Sequence, residues 1–272
     1  MTESSTHARV AHGGKAVYGA RLGILMLDAR FPRIPGDMGN AGTWPFPVLY
    51  RVVKDASPER VVTQKATGLL QSFLDAAREL VETGAEGITT NCGFLSIYQR
   101  EIAAHVQVPV ATSSLMQAPF IQSILPPGKR VGILTISART LLPEHLAAAG
   151  VNPNTPVVGT EDGREFTRVI IGDLPTMDVA AAEQDILEAG ERLVAQHRDI
   201  GAVLLECTNM SPYARTLSEH LRLPVYDIYS FITWFHAGLG PRDFGHPASV
   251  ARAWQPTISL LPGRSTERVG DP

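Results

Sequence analysis

The sequence predicts an α/β fold of two similar lobes, each a mainly parallel sheet flanked by helices. Three observations lead there. Short apolar runs alternate with amphipathic helical segments, the pattern of parallel strands covered on both faces. The tripeptide Gly-Ile-Leu occurs at 23–25 and again at 132–134, each time inside an apolar run. Each occurrence is followed at a similar distance by one of the chain's two cysteines, Cys92 and Cys207, and each cysteine precedes a strand-opening proline, Pro109 or Pro224, by the same interval. Spacing repeated on this scale reads as a duplicated unit.

The 272 residues are 44% hydrophobic and 19% charged, enough to bury a sizeable core. A net charge of −3 provides no field that would recruit nucleic acid or anionic lipid. Small molecules and further copies of the chain, in a homodimer or higher homo-oligomer, are the expected partners. Residues 1–20 read as a flexible leader, and 1–18 lack the apolar centre of a signal peptide. No run approaches the roughly 20 apolar residues that cross a bilayer. A cytoplasmic location is therefore expected, with two free thiols rather than a disulfide.

In order, residues 21–28 read as the first buried strand, with Asp28 at its carboxyl end, where open α/β sheets bind ligands. Residues 29–57 are rich in proline, glycine and aromatics, including Phe31-Pro32-Arg33-Ile34-Pro35-Gly36-Asp37. An irregular stretch of this length is expected to cover a ligand, with a short strand at 48–53. Apolar spacing predicts a helix over 63–83, closed by Gly84. The Cys92 strand follows, then a helix through His105, a strand at 108–114 and a helix at 115–125 ended by Pro126-Pro127-Gly128.

The second unit repeats the scheme. It has a strand at 130–137, a helix at 139–149, a strand at 155–159, a loop to Pro175 and a long helix at 178–196 before the Cys207 strand. Ser211-Pro212 reads as a helix start. A strand at 223–228 and a helix at 229–239 complete it. The tail from Pro241, with its lone Trp254, receives no element.

A cysteine at the carboxyl end of a parallel strand lies beside the first turn of the next helix, where unpaired N–H groups favour a thiolate. If the lobes face each other, one thiolate can remove a proton from a carbon while the other thiol returns one to the opposite face. No nucleotide-binding glycine loop is present, and the eight histidines show no paired metal spacing, so no cofactor and no metal are expected. His105 and His220 read as helix-end residues.

The segments Asn91-Cys92-Gly93 and Glu206-Cys207-Thr208-Asn209, in two similar halves, resemble the aspartate/glutamate/hydantoin racemase superfamily over residues 21–239. The resemblance implies lobes related by pseudo-twofold symmetry with the active site between them, and a C-terminal segment returning to the first lobe. The first lobe is then 21–112 plus 225–272 and the second 113–224. It implies catalysis without pyridoxal phosphate by Cys92 and Cys207, with Asn91, Thr208 and Asn209 near the substrate carboxylate and Asp28 and Thr135 at the strand-end polar positions. Gly93 departs from the amino-acid racemase pattern and looks more like the hydantoin branch, so it too is expected at the substrate. The expected enzyme is an isomerase, a racemase or epimerase acting at the alpha carbon of a small amino acid, hydantoin or related carboxylate or cyclic amide. An arylmalonate-type decarboxylase and a maleate-type cis-trans isomerase are alternatives on the same scaffold. A non-catalytic small-molecule binding protein is the alternative from another class.

Overall fold

A computed structural model of the chain describes residues 11–245. The expected apolar runs become eight strands in two sheets. The first sheet contains β1 (Leu22–Leu27), β2 (Val48–Val53), β3 (Gly87–Thr90) and β4 (Val110–Ala111). The second contains β5 (Arg130–Thr135), β6 (Val157–Gly159), β7 (Ile200–Leu205) and β8 (Val225–Tyr226). Every pairing is parallel, and the orders β2-β1-β3-β4 and β6-β5-β7-β8 are the same. The duplication read from Gly-Ile-Leu is thus a duplication of topology.

The repeated glycines have a packing reason. A methyl group at Gly23 would lie 3.1 Å from the Leu80 Cβ, and one at Gly132 would lie 2.8 Å from a Leu193 methyl. Leu80 belongs to α1 (Leu70–Thr83), and Leu193 to the corresponding helix of the second lobe. Each glycine lets a helix lie directly on the central strand of its sheet.

The other helices are α2 (Gln99–Val106), α3 (Ala118–Ile124), α4 (Pro143–Ala148), α5 (Phe166–Ile171), α6 (Val179–Gln196), α7 (Ala214–Leu221) and α8 (Ile228–Leu239). Asp178 caps α6 by accepting from the amides of Ala180 and Ala181 at 3.1 Å. The expected helix over 63–83 starts later, at Leu70, after a separate π-helical turn at Glu59–Thr63. The expected loop to Pro175 contains α5, whose first amides are held by the buried Asp185 carboxylate at 2.7–2.9 Å.

Residues from 225 were expected to join the first lobe, yet Val225 and Tyr226 pair with β7 and extend the second sheet. The chain crosses over only in α8, whose Ile228, Phe231 and Ile232 are buried with Leu22, Ile24 and Ala111 of the first sheet. Residues 1–10 of the expected leader, and Trp254 with the rest of the tail from 246, lie outside the described residues. Among the described residues, no helix is long and apolar enough to cross a membrane.

Candidate active site

Both cysteines follow the carboxyl end of a central strand, as expected. Cys92 caps a 3-10 turn, Gly93–Tyr98, that runs into α2, and Cys207 caps an equivalent turn, Thr208–Tyr213, that runs into α7. Ser211-Pro212, expected to start a helix, therefore falls inside the turn, and α7 starts later, at Ala214. A hydrogen bond ties the two strand ends together across the lobes: the Thr208 hydroxyl donates to the Asn91 carbonyl at 2.6 Å.

The two thiols border one cavity between the lobes, of about 20 Å³. That is room for a single water. Its wall is largely apolar, with Leu27 and Phe94 from the first lobe, Ile136 and Ile170 from the second, and Phe31 from the loop before β2. Asn91, Glu206 and Asn209 supply its polar atoms beside the thiols.

Glu206 is completely buried. Its Oε2 accepts from the Thr135 hydroxyl at 2.7 Å, while its Oε1 has no partner among the described residues. Burial pushes this carboxyl up to about 7. Gly93 faces it from the other lobe. Any Cβ at Gly93 would collide with Glu206 Oε1 and come within 2.8 Å of its Cδ and 2.6 Å of its backbone oxygen. The missing side chain after one cysteine is thus the space filled by the acidic side chain before the other.

The loop at 29–57 reaches the site through Asp37. This carboxylate accepts from Asn209 Nδ2 at 2.6 Å, from the Gly39 amide at 2.7 Å and from Arg33 at 3.1 Å, and it is buried. Because the Asn209 nitrogen must face a carboxylate, its Oδ1 faces Cys207, whose sulfur donates to it at 3.6 Å. This chain of contacts holds Cys207 as a thiol and the loop against the second lobe.

Helix-start amides were expected to make both thiols acidic. Burial outweighs them. It pushes Cys92 up to about 12, with the Glu206 charge adding to the effect and the Phe94 and Leu95 amides opposing it. It pushes Cys207 well above the ordinary thiol value, with Glu206 again second. In the closed cavity both groups are therefore thiols at neutral pH.

Of the residues singled out in the sequence, Cys92, Cys207, Asn91, Gly93 and Asn209 meet at the cavity. Thr208 and Thr135 sit behind it, on the Asn91 carbonyl and the Glu206 carboxyl respectively. Asp28 does not belong to it. It is exposed on the surface, because β1 delivers Leu27, not Asp28, to the interior. Glu206, Asp37 and Arg33 were not singled out. Glu206 does carry a signal, a carboxylate directly after the buried apolar run of β7, whereas nothing local marks Asp37.

No protein-family model matches the chain. Among solved structures, allantoin racemase from Klebsiella pneumoniae superposes with a TM-score of 0.57 at 17% identity, covering 80% of this chain and 88% of that one. Arylmalonate decarboxylase gives 0.51 at 16%, covering 83% and 96%. The chain shares the two-lobed fold of these two enzymes, the fold that the cysteine motifs led us to expect. Sequence similarity is more specific. A dimethylsulfoniopropionate lyase of Durusdinium sp. clade D is 30% identical over 227 residues, 80% of this chain and 75% of that protein. Dimethylsulfoniopropionate lyase 7 of Emiliania huxleyi is 30% identical over 237 residues, 80% and 67%. The chain belongs to the dimethylsulfoniopropionate lyase family.

The chain spans about half the length (56%) of another member, dimethylsulfoniopropionate lyase 3 of Emiliania huxleyi, at 31% identity. These relatives overturn the expected isomerase, whether racemase or epimerase. Their names are those of lyases, and the decarboxylase alternative, itself a lyase reaction, comes nearer. The physical reason is that a thiolate beside an acidic carbon begins either reaction. The fate of the resulting carbanion depends on whether the substrate carries a leaving group, which the spacing of two cysteines does not encode. In the dimethylsulfoniopropionate lyase family, this chain's thiol pair is to be read with Glu206 and the Asp37 loop beside it.

Proposed function

We propose that this protein is a lyase that eliminates dimethyl sulfide from dimethylsulfoniopropionate or a closely similar sulfonium propionate. Family membership is the observation that carries this reading.

In the proposed reaction one thiol of the Cys92 and Cys207 pair first gives up its proton, which the positive charge of the bound sulfonium favours, and the thiolate takes the proton from the carbon next to the carboxylate. The electrons of that C–H bond form the new C=C bond. The bond from the beta carbon to sulfur breaks with its electron pair on sulfur, which leaves as neutral dimethyl sulfide. Acrylate remains, and the proton taken from the carbon restores the thiol. One zwitterion gives one neutral sulfide, one anion and one proton.

The apolar wall of Leu27, Phe31, Ile136 and Ile170 supports the reading. A thiolate and a sulfonium lose their charges together as this reaction proceeds, and a water-poor wall favours such a change over the separated ions. One base suffices for elimination, so the second thiol is left to hold the substrate by hydrogen bonding. Asn91 and Asn209 provide amide groups for its carboxylate.

Incubation of the purified protein with dimethylsulfoniopropionate tests the proposal, with dimethyl sulfide measured in the headspace and acrylate by proton resonance in deuterated water. Equal amounts of the two products are expected. Exchange of the alpha proton with no sulfide released would sink the reading.

A further inference from the structure

A buried carboxyl oxygen without a partner is costly, and one on a residue that lines a cavity leaves a place for a ligand group to complete it. Glu206 Oε1 is such an atom. It belongs to a completely buried side chain on the wall of the cavity, and its direction is fixed because Oε2 is bound to the Thr135 hydroxyl. Gly93 leaves the space this oxygen occupies. The ring of Phe94, also buried, borders the same cavity. Opposite it, Phe31 already carries a cation, the Arg33 guanidinium, 4.1 Å from its ring centre. An aromatic ring and an unpaired carboxylate around one largely apolar cavity are the two elements that recognise an onium ion.

We propose that Glu206, with the Phe94 ring bordering the same cavity from the other lobe, forms a subsite for the onium end of the substrate. The identity of that end as a dimethylsulfonium rests on the lyase reading. The methyl groups lie against the apolar wall, and the positive charge supplies the partner that Glu206 Oε1 lacks. The site thereby favours a cationic leaving group over a neutral group of the same shape.

The subsite depends on pH. Burial holds the carboxyl at about 7, so it is charged above that value and neutral below it. The other titratable groups facing it are Cys92 of the first lobe and Cys207 of the second, both pushed up and both thiols at neutral pH. Asp37 lies behind Asn209 with its charge matched by Arg33. Behind Phe94, burial pushes His145 below the ordinary histidine value, away from the charged form. Glu206 is thus the group that changes charge in this range.

Two ligands separate the charge from the shape: 3-(trimethylammonio)propanoate, and its neutral carbon isostere 4,4-dimethylpentanoate. Their affinities are measured by calorimetry at about pH 8.5 and about pH 5.5. Wild type is expected to prefer the cationic ligand by about tenfold or more at the higher pH, the equivalent of about 1.4 kcal/mol, and to lose most of that preference at the lower. Glu206→Gln is expected to hold the two ligands alike at both. The inference is overturned if wild type binds both alike or neither at the higher pH, if its preference is the same at both, or if Glu206→Gln keeps it. The wild-type arms decide the matter even if the variant does not fold. Release of dimethyl sulfide without a cation preference removes only the subsite. A cation preference without release removes only the lyase reading.

Discussion

The hydroxyl of Thr208 donates a 2.6 Å hydrogen bond to the carbonyl of Asn91, joining the residue after one cysteine to the residue before the other. Both residues are buried, so the bond fixes the register of the two strand ends without contact with solvent. Replacing Thr208 by valine keeps the volume and leaves the carbonyl unpaired. A stability loss of about 1–3 kcal/mol is expected in denaturant titration. Dimethyl sulfide release should fall with it, chiefly in kcat, because the thiols are no longer held in one arrangement.

Of Cys92→Ser and Cys207→Ser, the variant that removes the base should lose about a hundredfold or more of dimethyl sulfide release, the usual contribution of a positioned proton-transfer group, while the other should lose less and chiefly raise KM. Their melting temperatures should stay close to that of wild type, since serine differs little in size. If Cys92→Ser released sulfide within about tenfold of wild type, Cys92 would have no part in proton transfer, and the same holds for Cys207.

The bond from Asn209 to Asp37, at 2.6 Å, fastens the loop over a cavity too small for any propionate. Asp37→Asn removes a charge-assisted bond of about 1.5–3 kcal/mol, so the open state should become about tenfold or more populated. Asn209 would also be free to turn its nitrogen towards Cys207, favouring the thiolate. Alkylation of Cys207 by iodoacetamide, followed by peptide mass spectrometry, should accelerate accordingly. An unchanged rate would show that the loop is not the barrier.

Burial raises the Glu206 carboxyl from an ordinary 4.5 to about 7 in the folded protein. Between those values the folded chain keeps a proton that the unfolded chain has released. The stability linked to this group is therefore complete below about pH 4.5 and is lost as pH rises through 7. The loss amounts to about 3 kcal/mol at most. Thermal unfolding should accordingly show wild type losing more stability than Glu206→Gln between about pH 5 and pH 8, and equal losses would contradict the raised carboxyl.

The sheets were legible because β1 and most of β7 are buried on both faces and read as unbroken apolar runs. The helix α5 was not, because its start is set by Asp185, about twenty positions later in the chain. The same distance problem hid Asp37, whose partner Asn209 is 172 positions away. The loop around it still showed its proline and glycine composition. Thiol acidity was misjudged because a strand end beside a helix start can be open or sealed, and here Phe94 and Met210 seal it. Thr135 and Thr208 stood out as polar residues at the right ends of strands, yet their hydroxyls are used on Glu206 and on the Asn91 backbone.

The fit of Glu206 into the space left by Gly93 has a consequence for direction. Two copies of one unit would by default present two equivalent walls, and a molecule could enter either way round. Here one copy has given up a side chain and the other has gained an acid, so the walls are unlike. A molecule with two different ends meets one preferred orientation, and Gly93 cannot gain a side chain while Glu206 stays in place.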